Sequence, residues 1–281
     1  MTTDQSTSET TAADDWSAVS VAWESSGDFI DQVKAPATEA LVDVARIQPG
    51  DHVLELGAGG GTLAERWADL VGATGRVVMS DVAPAMVEAI RRRCVDLPVV
   101  EAAVVDASSI DQPDGSFDVV VSRMGLMFTP DPSVAFAEIH RILRPGGRVA
   151  ALTWAGLEHN AWMTCVGIAA MMNGLMSGGP PVGPGQVFSL SDPDLLAGLA
   201  SGAGFRAVAV DAVSLEFRAE SIDAHIARVS SLAGPLATAF AAATPDQLRA
   251  VHETATELAA DNITDAGVVL PARALLVSGT R

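Results

Sequence analysis

The spacing of hydrophobic and polar positions predicts a sheet protein in the middle of the chain. Between residues 51 and 154, short valine-rich runs alternate with longer stretches of helical periodicity. Consecutive apolar residues are typical of strands buried on both faces, so the pattern predicts an α/β fold with a mostly parallel sheet between helices. The predicted strands span 52–56, 76–80, 99–105, 117–122 and 147–153, and the predicted helices span 62–70, 83–94 and 132–143.

After Trp154 the pattern changes to helices with two further strands. A methionine-rich helix is expected over 159–176, followed by a proline- and glycine-rich loop over 177–185. Ser191 is the expected N-cap of the next helix, with Asp192 and Asp194 in its first turn. Strands are expected over 206–217 and 268–278, and helices over 222–232 and 245–260.

The same pattern predicts one domain over residues 16–281. Residues 1–15, rich in Thr, Ser, Asp and Glu, are read as a disordered tail. Residues 16–50 are expected to form an N-terminal helical lid, residues 51–154 the core, and residues 155–204 and 218–264 helical caps above the sheet.

Composition and charge narrow the range of partners. The chain has 17 Lys plus Arg against 35 Asp plus Glu, and the resulting formal charge of −18 repels phosphate backbones, so no nucleic-acid partner is expected. The longest apolar stretch, 161–176, is interrupted and shorter than the roughly 20 residues of a spanning helix, so no membrane insertion is expected. Cys94 and Cys165 lie far apart without a metal-ligand pattern, which predicts no metal site and a cytoplasmic location.

The clearest motif is a buried strand that runs into a glycine-rich turn and opens a helix. The segment reads Val53-Leu54-Glu55-Leu56-Gly57-Ala58-Gly59-Gly60-Gly61-Thr62. Glycines allow unusual backbone dihedrals and let a ligand approach the backbone closely. Because Gly59-x-Gly61-x-x-Ala64 also satisfies the dinucleotide fingerprint, an NAD-dependent oxidoreductase stays open at this point.

Acidic residues at three neighbouring strand ends favour another ligand. Glu55 precedes the first glycine by two residues, where a negative charge suits a cation and disfavours a pyrophosphate. Asp81 follows the second strand, where a carboxylate can accept both hydroxyls of a ribose. Asp106 follows the third strand and precedes Ala107, a position suited to an adenine amino group. These acids predict a nucleoside attached to a cationic amino acid.

Residues 53–153 resemble a class I S-adenosylmethionine-dependent methyltransferase. The resemblance rests on Glu55-x-Gly57-x-Gly59-x-Gly61, Asp81, Asp106-Ala107, Phe117-Asp118-Val119-Val120 and Leu143-Arg144-Pro145-Gly146-Gly147. In addition, Ser122-Arg123-Met124-Gly125-Leu126-Met127-Phe128 is similar to the small-molecule branch related to ubiquinone and menaquinone C-methyltransferases.

This resemblance implies a Rossmann-like sheet of seven strands, mostly parallel, with the last strand antiparallel. It implies S-adenosylmethionine as cofactor, converted to S-adenosylhomocysteine, and methyl transfer to a small, rather apolar molecule by a single methyltransferase domain over residues 16–281. The residues assigned to cofactor binding are Glu55, Gly57, Ala58, Gly59, Gly61, Asp81, Val82, Met86, Asp106, Ala107 and Ser122.

Methyl transfer from a sulfonium is an in-line displacement, so aligning the reactants and excluding water matter most. His159 is the candidate base for an acceptor that must lose a proton, because it follows the fifth strand at the ligand-binding edge; a solvated helix start beside Glu158 is the alternative. Trp23, Met127 and Trp162 are the candidate substrate-lining residues, with ordinary packing as the alternative. His225 and His252 are expected at the surface, with a position facing the pocket as the alternative.

Two further functional hypotheses stay open. The chain could bind S-adenosylmethionine without methyl transfer, as a scaffold or a non-methylating cyclase, or it could be an NAD-dependent oxidoreductase. The expected partner is a small-molecule substrate, and a homodimer is left open.

Overall fold

The protein is an α/β structure in this computed structural model, which describes residues 12–232 and 234–281. The helices are α1 (Ala12–Ser25), α2 (Gly27–Ala45), α3 (Ala64–Val71), α4 (Pro84–Arg93), α5 (Pro132–Ile142), α6 (Ala161–Met172), α7 (Pro193–Gly202), α8 (Ile222–Leu232), α9 (Gly234–Ala242) and α10 (Pro245–Leu258). The strands are β1 (His52–Leu56), β2 (Arg76–Asp81), β3 (Val100–Val104), β4 (Phe117–Arg123), β5 (Leu143–Trp154), β6 (Arg206–Ala219), β7 (Ile263–Thr264) and β8 (Gly267–Thr280).

One sheet runs through the molecule in the order β3-β2-β1-β4-β5-β8-β6. The pairs among β1 to β5 are parallel, and β8 lies antiparallel between β5 and β6. The predicted mostly parallel sheet with an antiparallel last strand is therefore confirmed, and the two-residue β7 adds a short pairing to β8. The chain leaves β1 toward β2 on one side and returns to β4 on the other, which makes the carboxyl ends of β1 and β4 a topological switch point.

Helices cover both faces of the sheet. Val119, Val120 and Val121 follow one another in β4 and are all buried, although successive side chains of a strand point to opposite faces. The helix α2 packs on β4, β5, β6 and β8, whereas α3 and α4 pack near β1 to β3. No helix within residues 12–232 and 234–281 combines the length and the apolar composition of a membrane-spanning segment.

The N-terminal region differs from the sequence prediction. The predicted tail to residue 15 is too long, because α1 begins at Ala12; residues 1–11 of that tail lie outside the described residues. The predicted lid contains two helices, α1 and α2, and α2 does not simply lie over the sheet. Its residues Ala37, Leu41 and Ala45 are fully buried, so this helix is part of the core.

Several element bounds beyond the core also differ. The methionine-rich helix is shorter than predicted, Ala161–Met172: a 3-10 turn occupies Leu157–His159 before it, and Asn173 is its C-cap. Ser191 is not the N-cap of α7; the Asp192 side chain accepts the backbone N–H groups of Asp194 and Leu195. The helix α9 was not predicted, because its first two residues, Gly and Pro, are typical of a turn.

Candidate functional site

Glycines in the turn after β1 are required for two different reasons, close backbone packing at Gly57 and open space at Gly59. Gly57, Gly59 and Gly61 all have positive φ angles, +68°, +56° and +75°. A Cβ at Gly57 would lie 2.8 Å from the Cα atom of Gly125, so the backbones after β1 and β4 leave no room for a side chain. A Cβ at Gly59 would have no atom within 4 Å, so the turn faces open space there. Gly59 is therefore the glycine that leaves room for a ligand.

Asp81 fastens the end of β2 to this turn. Its Oδ2 atom accepts the backbone N–H of Gly59 at 3.0 Å, and its Oδ1 atom accepts that of Ala83 at 2.9 Å. Burial raises the pKa of this carboxyl, and the backbone N–H groups that it accepts act in the opposite direction. Each oxygen has a second lone pair, so Asp81 can still accept two hydroxyl groups.

Next to Asp81, the backbone of the turn is anchored to β2. The Ala58 N–H donates to the Ser80 carbonyl at 2.8 Å, and the Ser80 hydroxyl donates to the Glu55 carbonyl at 2.7 Å. Of the other residues assigned to cofactor binding, Met86 is buried on α4 and Val82 is half-buried before it.

Glu55 is a buried acid without a counter-ion of its own among the described residues. It is only 2% exposed, and Trp67 Nε1 donates to its Oε2 atom at 2.6 Å. Burial raises the pKa of Glu55 to about 7, although the positive charge of Arg123 and the Trp67 hydrogen bond act in the opposite direction. A cation at this position would stabilise the ionised form.

The acid after β3 is more exposed than the other two. Asp106 Oδ1 accepts the backbone N–H and the hydroxyl of Ser108, at 2.8 and 2.6 Å, and Ala107 beside it is half-buried. Ser122 is buried, and its hydroxyl donates to the Leu56 carbonyl at 2.8 Å. In this structure Ser122 therefore joins the end of β4 to that of β1.

Sequence reasoning missed a set of polar side chains between α2 and the glycine turn, here named the lid polar cluster: Asp31, Thr38, Thr62 and Arg123. Arg123 pairs with Asp31 at 2.7 Å and donates to the hydroxyls of Thr38 and Thr62, at 3.1 and 2.6 Å. The Thr62 hydroxyl also donates to Asp31 at 2.9 Å. The cluster joins α2, the end of β4 and the glycine turn. The residues that contact each other in this cluster are 31 to 92 positions apart in the sequence, so no local sequence pattern predicts it.

Lys34 lies beside this cluster, under α1. It is 7% exposed, and its ammonium lies 5.3 Å from the centre of the Trp23 ring. Burial and, to a smaller extent, the positive charge of Arg123 lower the pKa of Lys34 to about 7, while the negative charge of Asp31 acts in the opposite direction. The sequence signal was available, since Lys34 is the single lysine of the whole chain.

The predicted substrate-lining residues lie in tightly packed surroundings. Trp23 Nε1 donates to the Leu232 carbonyl at 3.0 Å, which joins α1 to the end of α8. Trp162 stacks on Phe217, with ring centres 3.9 Å apart. Met127 is buried, and its carbonyl accepts the Ser189 hydroxyl. These contacts are compatible with a pocket wall and with simple packing alike.

His159 lies at the predicted edge, after the end of β5, and is partly exposed. Its Nε2 atom lies 3.5 Å from Glu158 and 3.5 Å from Arg273, and its role as a base stays a prediction.

The surface prediction for His225 is wrong: this side chain is 2% exposed and its Nε2 bonds to the Trp162 carbonyl. His252 is more exposed and pairs with Asp223.

The central part of the chain matches a known sequence family. Residues 54–151 match the family described as Methyltransferase domain. Over 117 residues the chain is 35% identical to the ubiquinone/menaquinone biosynthesis C-methyltransferase UbiE of Teredinibacter turnerae, and this match covers 41% of this chain and 47% of that protein. The chain thus spans about half the length of the UbiE relatives that it matches.

Solved structures share the fold over a longer stretch. A Bacillus halodurans protein assigned as a methyltransferase superposes with a TM-score of 0.60 at 17% identity, covering 86% of this chain and 97% of that one. Phosphoethanolamine N-methyltransferase 2 of Haemonchus contortus, solved with S-adenosyl-L-methionine, gives a TM-score of 0.53 at 17% identity, covering 89% and 52% of the two chains. These likenesses show the fold alone.

The raised pKa of Glu55 predicts a specific dependence of stability on pH. Between the usual 4.5 and about 7 the folded state holds a proton that the unfolded state has lost, so the free energy of unfolding falls as pH rises through this window. The contribution is about 3 kcal/mol. Urea unfolding of the wild type and Glu55→Gln from pH 4 to 8 isolates it as the difference between the two curves. Parallel curves would contradict the assignment.

The glycine geometry predicts different costs for two neighbouring substitutions. Both Gly57→Ala and Gly59→Ala force a side chain into a left-handed conformation, at about 1 kcal/mol. Gly57→Ala also drives a methyl group into Gly125, which adds about 1–3 kcal/mol. Urea unfolding is expected to rank Gly57→Ala well below Gly59→Ala in stability. Equal losses in both variants would refute the close approach.

Proposed function

We propose that this chain, a class I S-adenosylmethionine-dependent methyltransferase that resembles UbiE, transfers a methyl group to a small, rather apolar molecule. The proposal rests on two buried acids, Glu55 and Asp81, which lie on either side of a glycine turn at the β1–β4 switch point. Open α/β sheets bind their ligands at such a point.

The residues around the turn fit S-adenosylmethionine. Gly59 leaves open space where a ligand can touch the backbone, and Asp81 has free lone pairs for the ribose hydroxyls. Glu55 supplies a buried negative charge for the ammonium of the amino-acid end. Asp106 and Ala107 are the proposed contacts of the adenine amino group, as the sequence predicts.

The buried acid also argues against the NAD-dependent alternative. A pyrophosphate beside the first glycine would bring negative charge toward Glu55 in a region of low dielectric constant, which is unfavourable. The ammonium of an amino acid reverses the sign of that interaction.

S-adenosylmethionine supplies an electrophilic methyl group on a positively charged sulfur. The part of this chain is to hold the reactants in line and to exclude water. The position of the proposed lid supports the second requirement: a Cβ at Gly27 would lie 3.3 Å from Thr62, and Glu24 pairs with Arg92 of α4 at 2.9 Å. The start of α2 therefore lies against the turn, and the end of α1 lies against α4.

Three aromatic rings lie together near the end of β5. Trp154 ends β5 and lies 5.1 Å from Trp162 and 6.2 Å from Phe217, measured between ring centres. These rings support an apolar acceptor. His159 is the proposed base for acceptors that must lose a proton, and its Glu158 neighbour would stabilise the protonated ring. The cytoplasmic location and the homodimer stay predictions.

Removing the proposed ribose acid should weaken cofactor binding and leave the fold in place. In calorimetric titration with S-adenosylhomocysteine, Asp81→Ala is expected to bind at least tenfold more weakly, since hydrogen bonds to a charged group contribute about 1.5–3 kcal/mol each. The matched control is Asp118→Ala, which removes a carboxylate from the opposite edge of the sheet, where it accepts the His52 N–H at 2.8 Å.

Circular dichroism checks that both variants are folded. Unchanged S-adenosylhomocysteine affinity in folded Asp81→Ala, or an equal loss in both variants, would overturn the proposed site. Transfer itself is tested by mass spectrometry of the wild type with S-adenosylmethionine and a panel of quinols, phenols and apolar amines. The proposal predicts a methylated product together with S-adenosylhomocysteine.

A further inference from the structure

We propose that Trp67 is a positioning residue of the cofactor site: its indole N–H holds one carboxylate oxygen of Glu55, so that the other oxygen faces the ammonium of the cofactor's amino-acid end. This inference rests on the proposed function and deepens it, because it explains how a flexible side chain keeps one orientation in the site. In this arrangement Trp67 acts through Glu55 and has no contact of its own with the cofactor.

The contact between the two side chains is short and buried. Trp67 is fully buried, Glu55 is 2% exposed, and the indole Nε1 donates to the Glu55 Oε2 atom at 2.6 Å. An indole is a donor only, so the direction of this hydrogen bond is fixed. A ring enclosed in a close-packed core has little freedom to move. The bond therefore holds Oε2 in one place.

The second oxygen of Glu55 stays available. Its Oε1 atom accepts no hydrogen bond from the described residues. Every fully enclosed side-chain oxygen within residues 12–232 and 234–281 has a hydrogen-bond partner, so Oε1 must keep contact with open space. A carboxylate with one oxygen bound and the other accessible accepts from one side only, which suits an ammonium that donates a charge-assisted hydrogen bond.

The same bond closes the segment that forms the glycine turn. Glu55 lies before the turn in β1, and Trp67 lies after it in α3, 12 positions later in the chain. The helix begins directly behind the turn, where the Ala64 N–H donates to the Gly61 carbonyl at 3.1 Å. A side-chain bond across the turn fixes Glu55 relative to Gly59, the glycine that leaves room for a ligand.

The charge of Glu55 depends on this bond as well. Burial raises the pKa of Glu55 to about 7, and the positive charge of Arg123 and the Trp67 hydrogen bond act in the opposite direction, because both favour the ionised form. The other charged groups that act on Glu55 are Asp31 of α2 and Asp81 of β2. Without the indole donor, more of the carboxyl would be protonated near neutral pH, and a protonated carboxyl no longer attracts an ammonium.

The experiment compares S-adenosylhomocysteine with an analogue that carries hydrogen in place of the amino group. Calorimetry slightly above neutral pH is expected to show that the wild type binds S-adenosylhomocysteine about ten- to a hundredfold more tightly than the analogue. Trp67→Phe, which keeps a ring and removes the donor, should reduce this preference to about threefold or less. Its affinity for the analogue should stay close to that of the wild type.

The matched control is Val71→Ala on the same helix. Val71 is fully buried in α3, so this change also removes core packing, but it removes no side-chain hydrogen bond. The variant should keep the wild-type preference for the amino group. Circular dichroism checks that both variants are folded.

The pH dependence of binding gives a readout that packing alone would not move. In the wild type, the affinity for S-adenosylhomocysteine should fall as the pH drops below about 7, where Glu55 takes up a proton. In Trp67→Phe this fall should begin at a pH about one unit higher, because the ionised form has lost a donor. The affinity for the analogue should change little with pH in either protein.

Nuclear magnetic resonance of the indole group follows the bond in the wild-type protein itself. The ¹⁵N–¹H signal of Trp67 should move with the protonation of Glu55, with a midpoint near pH 7 in the free protein. S-adenosylhomocysteine should lower that midpoint by more than about one unit, because an ammonium favours the ionised acid, and the analogue should leave it in place. This measurement decides the question even where Trp67→Phe fails to fold.

Three outcomes would overturn the inference. A folded Trp67→Phe that keeps the wild-type preference would show that Glu55 needs no positioning by the indole. An equal loss of affinity for both ligands, or the same loss of preference in Val71→Ala, would make Trp67 a residue of the fold alone. An indole signal that does not follow the protonation of Glu55 would remove the contact. A wild type that binds neither ligand, or binds both equally well, would instead overturn the proposed cofactor site.

Discussion

The arrangement of the site depends on one close approach between two backbones. The strands β1 and β4 are neighbours in the sheet, but their connections leave in different directions, so a crevice opens beyond their carboxyl ends. At the entrance to this crevice Gly57 and Gly125 pack so tightly that neither position has room for a side chain. This contact, together with the Ser122 hydroxyl bound to the Leu56 carbonyl, fixes the height of the glycine turn above the sheet. Asp81, Glu55 and Gly59 are placed relative to that turn.

Two ionisable groups of the strand end and the lid are buried, the carboxyl of Glu55 and the ammonium of Lys34. In the free protein, burial disfavours the ionised form of Glu55 and the protonated form of Lys34, and the pKa values of both lie at about 7. The pair formed by Asp31 and Arg123 lies between lid and turn and is internally neutral. The ammonium of a bound amino acid would favour the ionised form of Glu55. Such a ligand would also stabilise the lid, since it would bind the folded state and not the unfolded chain.

The sequence predicts most of the core but little of the lid. The strands were predictable because consecutive valines, as in β4, mark burial on both faces, and the strand-end acids follow from where those strands stop. The contacts of Arg123 with Asp31 and of His225 with Trp162 were not predictable, since they join elements that are far apart in the chain. His225 is buried because its ring bonds to a backbone carbonyl of another helix. No local sequence pattern reveals that partner. The N-cap of α7 was also not predictable from the sequence. Ser191 and Asp192 are both residue types that favour an N-cap, and only the geometry of the turn selects Asp192.

The most direct test of the central claim, that an adenosine with a zwitterionic tail lies across the ends of β1 and β4, is a crystal structure of the protein with S-adenosylhomocysteine. Ribose hydroxyls are expected within hydrogen-bond distance of Asp81, which keeps its bond to the Gly59 N–H. The ammonium of the amino-acid end is expected beside Glu55. Density for the ligand at another edge of the sheet, or an amino-acid end that points away from Glu55, would contradict this placement.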